Sequence, residues 1–229
     1  MTMTNNVPDW LTPVAWIFIT AAVLTAALIS YDIYGRRRRH ATVAAELVWI
    51  TSALYLGPFA LPLYARHGRR TTRRIAEPDA ADRPAHPTGV PAAINGLPGG
   101  GASAVAHLVG VPLVLASGLT IAGIDLWVMI LVIGALAMML LFAYERSNAG
   151  SRGPRLGVGA AAAAAVATVL AFDIGMGGWM LLLHFNEYMP PAKEGTFWFL
   201  MQVGIVLGLA TGYPVVSWLA RRNSALTPA

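Results

Sequence analysis

Cysteine is absent from this 229-residue chain. That excludes disulfides, thiolate metal ligands and thiol nucleophiles. Lysine occurs once, against 15 arginines, and charged residues make up only 12% of the sequence. A soluble domain carries about 25%. No nucleophile elbow, phosphate loop, H-E-x-x-H zinc motif or carboxylate-rich loop is present, so a soluble-type enzyme has no support in the motifs. "GLPGGG" (96–101) is glycine-rich but lacks a following Lys-Ser/Thr and a preceding strand, and it reads as a flexible joint.

What is there is apolar. Hydrophobic residues reach 56% and mean hydropathy is +0.59. Six apolar segments stand out, at about 11–34, 41–64, 102–122, 124–144, 158–185 and 197–220. Runs of ~20 residues at 1.5 Å each cross a hydrocarbon core of ~30 Å. In lipid such runs must be helices, because the backbone has to satisfy itself. The expectation is an all-α, polytopic transmembrane bundle forming one membrane domain. Residues 1–64 carry the first helical pair and its basic connection. Residues 65–101 form a flexible Pro/Gly/Arg-rich loop, 102–220 a four-helix part and 221–229 a tail. The first segment is followed, not preceded, by basic residues and is expected to stay in the bilayer as an anchor.

The net charge is +5, and all 16 basic residues lie outside the apolar runs. They read as membrane-side anchors rather than a nucleic-acid face, so the expected partner is the lipid bilayer. The arginine-rich, alanine-rich composition suggests a bacterial plasma membrane, with the C-terminus and the 65–101 loop cytoplasmic. Arginines cluster after segments one, two and four and at the C-terminal end. Six full spans divide the basic residues 11 to 5. If segment two instead enters and leaves on one side, the division becomes 15 to 1. "YLGPFALP" (55–62) offers Gly57, Pro58 and Pro62 as helix breakers. Both topologies stay open at this point.

Ionisable residues at bilayer depth are costly and count as functional candidates. Asp173 lies about 15 residues into segment five. Glu46 and His107 lie about one turn into segments two and three, while Asp32 and Asp125 sit at segment ends, where water reaches them. No arginine or lysine lies within a span. Asp173 and Glu46 are therefore expected to be protonated, hydrated, metal-bound or paired with histidine.

Within "FDIGMGGWMLLLHF", Asp173, Met176, Met180 and His184 fall within roughly 80° on a helix turning ~100° per residue. Methionine and histidine suit Cu(I). That gives a soft-metal reading, to which Met201 and His107 could add ligands. Its counterpart is methionine as a filler of irregular core gaps. A second reading is proton or ion movement, as in a small transporter, through Glu46, His107 and Asp173. Its counterpart is a set of satisfied interhelical hydrogen bonds. Haem is not expected: His107 and His184 come out about 20 Å apart along parallel segments. Gly204, Gly208 and Gly212 make a flat helix face that either packs within the chain or docks a homodimer or another membrane protein in a non-catalytic, accessory role.

Three blocks resemble an uncharacterised bacterial membrane family, domain of unknown function 4396. "FWFLMQVGIVLGLATGYPVVSWLARR" (197–222) is similar to its C-terminal signature, through Phe197, Trp198, Phe199, Met201, Gln202, Gly208, Thr211, Tyr213, Pro214, Trp218 and Leu219. Gly175, Met176, Gly178, Trp179 and Met180 resemble a second block, and Trp49 to Tyr64 a third. The resemblance implies the multi-pass architecture and no activity. The family's His-Cys-Gly-Ala-Gly-Cys has only His107 as its counterpart, in "HLVGVP" (107–112).

Overall fold

The computed structural model describes residues 6–40, 42–69, 90–148 and 158–225. The described chain is helical: α1 (Leu11–Ser30), α2 (Val43–Leu56), α3 (Val90–Ser117), α4 (Asp125–Asn148), α5 (Val158–Phe185) and α6 (Gly195–Ala225). α1 runs on through a π-helical turn, Tyr31–Gly35. α2 is followed by a 3-10 turn at Gly57–Phe59, a helical turn at Ala60–Leu63 and a second π-helical turn at Tyr64–Gly68. Counting these continuations, six stretches are long and apolar enough to cross a membrane.

The second of them does not run straight. On one straight helix Trp49 and Tyr64 would stand about 22 Å apart at 1.5 Å per residue. Their ring centroids are 5.5 Å apart. A Cβ on Gly68 would lie 3.1 Å from the Trp49 ring. The segment is a helical hairpin with both ends at one end of the bundle. Its apex is Gly57, with φ 57° and ψ −137°, a conformation that costs glycine little and other residues much. A Cβ there would also lie 2.7 Å from the Phe18 ring, halfway along α1. Pro58 has no N–H to offer the Leu54 carbonyl four residues back. Gln202 of α6 donates its Nε2–H to that carbonyl instead, at 2.6 Å. Gly57 and Ala60 are buried at this apex, as irregular backbone at membrane depth requires, while Pro58 and Phe59 face outward.

The long helices alternate in direction. α1 and α6 run parallel, with Gly195 against Trp16 and the Phe18 and Phe199 rings 5.5 Å apart. α5 is antiparallel to α6: Gly204 meets Met176 and Trp179, Gly208 meets the Phe172 ring at 2.7 Å, and Gly212 meets Phe172 near its backbone. The Trp179 indole donates to the Leu200 carbonyl across the same seam. α4 is antiparallel to α5, and a tight turn at 118–124 joins it to α3. Arg36 to Arg39, Arg66, Arg69 and Arg146 therefore share one end of the bundle, and Lys193 lies at the other.

Several expectations are corrected here. Gly204, Gly208 and Gly212 face α5 of the same chain, so that face is not free to dock a partner. The "flexible joint" at 96–101 is helical, because α3 begins at Val90. Its glycines are contact points: a Cβ on Gly100 would meet the Tyr55 ring at 2.7 Å, and one on Gly101 the Thr51 hydroxyl at 2.5 Å. Removing side chains lets membrane helices approach closely. Of the expected 65–101 loop, both ends are thus helical, and 70–89 lie outside the described residues. Likewise the expected tail from 221 continues α6 as far as Ala225, while 226–229 lie outside the described residues.

Candidate functional site

Two polar sites lie within the bundle, and they differ in kind. The first closes the mouth of the hairpin. Glu46, fully buried, accepts from Arg39 through both carboxylate oxygens, at 2.6 and 3.0 Å, and from the His40 backbone N–H at 3.0 Å. The Arg39 guanidinium lies 4.9 Å over the Tyr34 ring, and its bond to Glu46 raises its pKa further above the ordinary arginine value. Asp32, 4% exposed, accepts from the Tyr64 hydroxyl at 3.1 Å, from Arg69 at 3.2 Å and from Arg38 at 3.3 Å, with Arg36 at 3.7 Å. Two expectations fail here. Asp32 is not wetted, and Glu46 is neither protonated for want of a cation nor near His107. The arginines lie outside the apolar runs but fold back onto them, and only the hairpin brings Arg69 to Asp32. Both carboxylates are structural counter-charges. Buried ions require such pairing.

The second site is a small, partly open cavity between α3, α4 and α5. His107 lines it from α3; Met129, Ile133 and Gly134 from α4; Asp173, Met176, Gly177 and Met180 from α5. Its water-sized space is about 30 Å³, enough for a water or two. The α5 residues repeat at i, i+3/i+4 and i+7, which puts them on one helix face. His107 is 6% exposed. Its Nδ1–H donates to the Ser103 carbonyl at 2.8 Å. That bond fixes the tautomer and leaves Nε2 as a lone-pair donor, the arrangement of a metal-binding or proton-accepting histidine. Asp173 is half-buried and makes no hydrogen bond or ion pair with the described residues. Gly134 makes room for it: a Cβ there would lie 3.4 Å from Oδ2. Met176 and Met180 are 3% and 6% exposed, and Met129 is 7% exposed.

The structure thus brings together Asp173, Met176 and Met180 of the stripe, with His107. It leaves out three candidates. His184 is half-buried with its ring edge-on to Phe185, 5.3 Å away. α4 begins only at Asp125, so one turn past Met180 there is no helix opposite. Met201 is buried on α6, outside the lining. Glu46 belongs to the hairpin mouth. Met129 was not singled out from sequence, since a methionine in an apolar run gives no local signal. The haem argument also needs correcting. α3 starts at Val90, so His107 lies in its C-terminal part and not near its start. Of the two histidines, only His107 lines the cavity. Among the described residues, no three His, Asp or Glu side chains converge. The donor groups in the cavity are three thioethers, one imidazole and one carboxylate.

Five alternating spans, a hairpin held within them and a core cavity with one carboxylate define a polytopic helical membrane protein with a polar site inside the bundle. The profile of a family described as Domain of unknown function (DUF4396) matches residues 90–224, more than half of the chain, and the protein belongs to that family. The match covers α3 to α6 and so every residue lining the cavity; the hairpin lies outside it. No curated protein and no solved structure matched the sequence.

Proposed function

We propose that the protein binds a soft monovalent cation, Cu(I) by chemical class, inside its membrane domain and takes part in its passage across the membrane. The observation that carries this reading is the company in one cavity of three thioethers (Met129, Met176, Met180), one imidazole with its tautomer set, and one carboxylate unpaired among the described residues. Thioether sulfur and imidazole favour Cu(I) over hard divalent cations. A single positive charge beside Asp173 would leave the site neutral, which removes the main cost of burying either ion alone. The methionines as simple gap fillers would account for the sulfurs. They would not account for a carboxylate on the same wall with no partner among the described residues.

A second reading shares two of these groups. His107 and Asp173 could pass a proton between them without any metal. Glu46 takes no part in that relay, being bound to Arg39.

The positive-inside rule sets the sidedness of this proposal. The arginine-bearing end faces the cytoplasm of a bacterial plasma membrane, the N-terminal end of α1 is outside, and the C-terminus is inside.

Purified protein titrated with Ag(I), a redox-inert substitute for Cu(I), should bind one ion per chain. Stoichiometry near zero, with pH-dependent flux in liposomes that Asp173→Asn removes, would replace the metal reading with the proton reading.

A further inference from the structure

The hairpin does more than fold a segment back. It gathers two arginine groups that a straight segment would hold on opposite sides of the membrane. Between residues 32 and 69 the sequence has six arginines and two carboxylates, Asp32 and Glu46. Both carboxylates are buried and already engaged. His40 adds no charge, since burial holds its imidazole below the ordinary histidine pKa. The mouth therefore carries four positive charges in surplus, packed where like charges repel. Arg37 and Arg66 are exposed and make no ion pair with the described residues. Arg36 is 57% exposed at its side chain and only 3.7 Å from Asp32, a loose contact.

Below the mouth, α1 presents Leu24, Leu28 and Tyr31 outward, at 59%, 56% and 63% exposure. These positions, i, i+4 and i+7, form one apolar stripe that ends beside Arg36 and Arg37. A ligand with an anionic head at the guanidiniums and a hydrocarbon tail along this stripe matches both features. We propose that the hairpin mouth binds the headgroup phosphate of an anionic phospholipid, its acyl chains lying along Leu24, Leu28 and Tyr31. Guanidinium recognises phosphate well, and juxtamembrane arginine clusters draw anionic lipid. The lipid supplies the counter-charge that the buried carboxylates leave wanting, and so clamps the hairpin shut.

The test compares phosphatidylglycerol with phosphatidylcholine on delipidated, detergent-solubilised protein, reading lipid retained per chain and thermal unfolding. Phosphatidylglycerol should be retained and should raise Tm; phosphatidylcholine should do neither. Arg37→Gln with Arg66→Gln should weaken retention about 30-fold, from roughly fivefold per arginine, without touching the arginines on Asp32 and Glu46. The Arg37→Lys, Arg66→Lys form should keep most of it. Equal retention by wild type and the Gln double variant would overturn the proposal. So would full protection by inorganic phosphate alone, which would make the occupant a free anion.

Discussion

Replacing Met176 and Met180 with leucine should lower Ag(I) affinity by at least about 100-fold, given that outer-shell partners of a metal alone cost 10–100-fold. The protein should remain folded. Met and Leu are close in volume, and such core exchanges usually cost under ~1.5 kcal/mol. Met129→Leu should weaken binding as well, because Met129 faces the same cavity from α4. Met201→Leu and His184→Ala should leave affinity unchanged, as neither lines it. That contrast separates a built site from a methionine-rich interior. Equal small losses at all four methionines would mean that silver binds sulfur wherever it finds it. Full affinity in the Met176, Met180 double variant would remove the cavity from the account.

The second large effect concerns sidedness and is all or none. Because the chain has no cysteine, single introduced cysteines report without background. Arg37→Cys and Arg66→Cys should react with a membrane-impermeant maleimide from the same side of sealed vesicles, and Lys193→Cys from the other. A straight second segment would put positions 37 and 66 on opposite sides. Labelling of those two from opposite faces would overturn the hairpin. It would also leave Asp32 without Arg69, since the 3.2 Å contact between them requires both ends of the segment at one level.

Much of this was legible in the sequence, for identifiable reasons. Runs near 20 apolar residues announced the helices. Gly57 and Pro58 announced a break, and the 15-to-1 division of basic residues pointed the same way. The structure settles the fold of segment two through a return limb that ends in a π-helical turn, Tyr64–Gly68, with Gln202 satisfying the carbonyl that Pro58 leaves free. Asp173, Met176 and Met180 could be found because helical spacing puts them on one face. His107 was found by its depth, although that depth was measured from the wrong helix start. Gly99 to Gly101 and Pro98 read as a loop because those residues break soluble helices, whereas close packing in a bilayer rewards glycine. Glu46 and Asp32 were misjudged for a common reason: their partners come from outside the apolar runs and reach back. Met129 was missed because only the tertiary arrangement distinguishes it from Met138 or Met139 on the same helix.

The most direct test of the central claim is X-ray absorption at the copper edge on the wild-type chain loaded with Cu(I). The account predicts a first shell dominated by thioether sulfur from the cavity methionines with one imidazole nitrogen, and loss of the sulfur scattering in the Met176→Leu, Met180→Leu variant. A first shell of nitrogen and oxygen alone, or a sulfur shell unchanged in that variant, would contradict it.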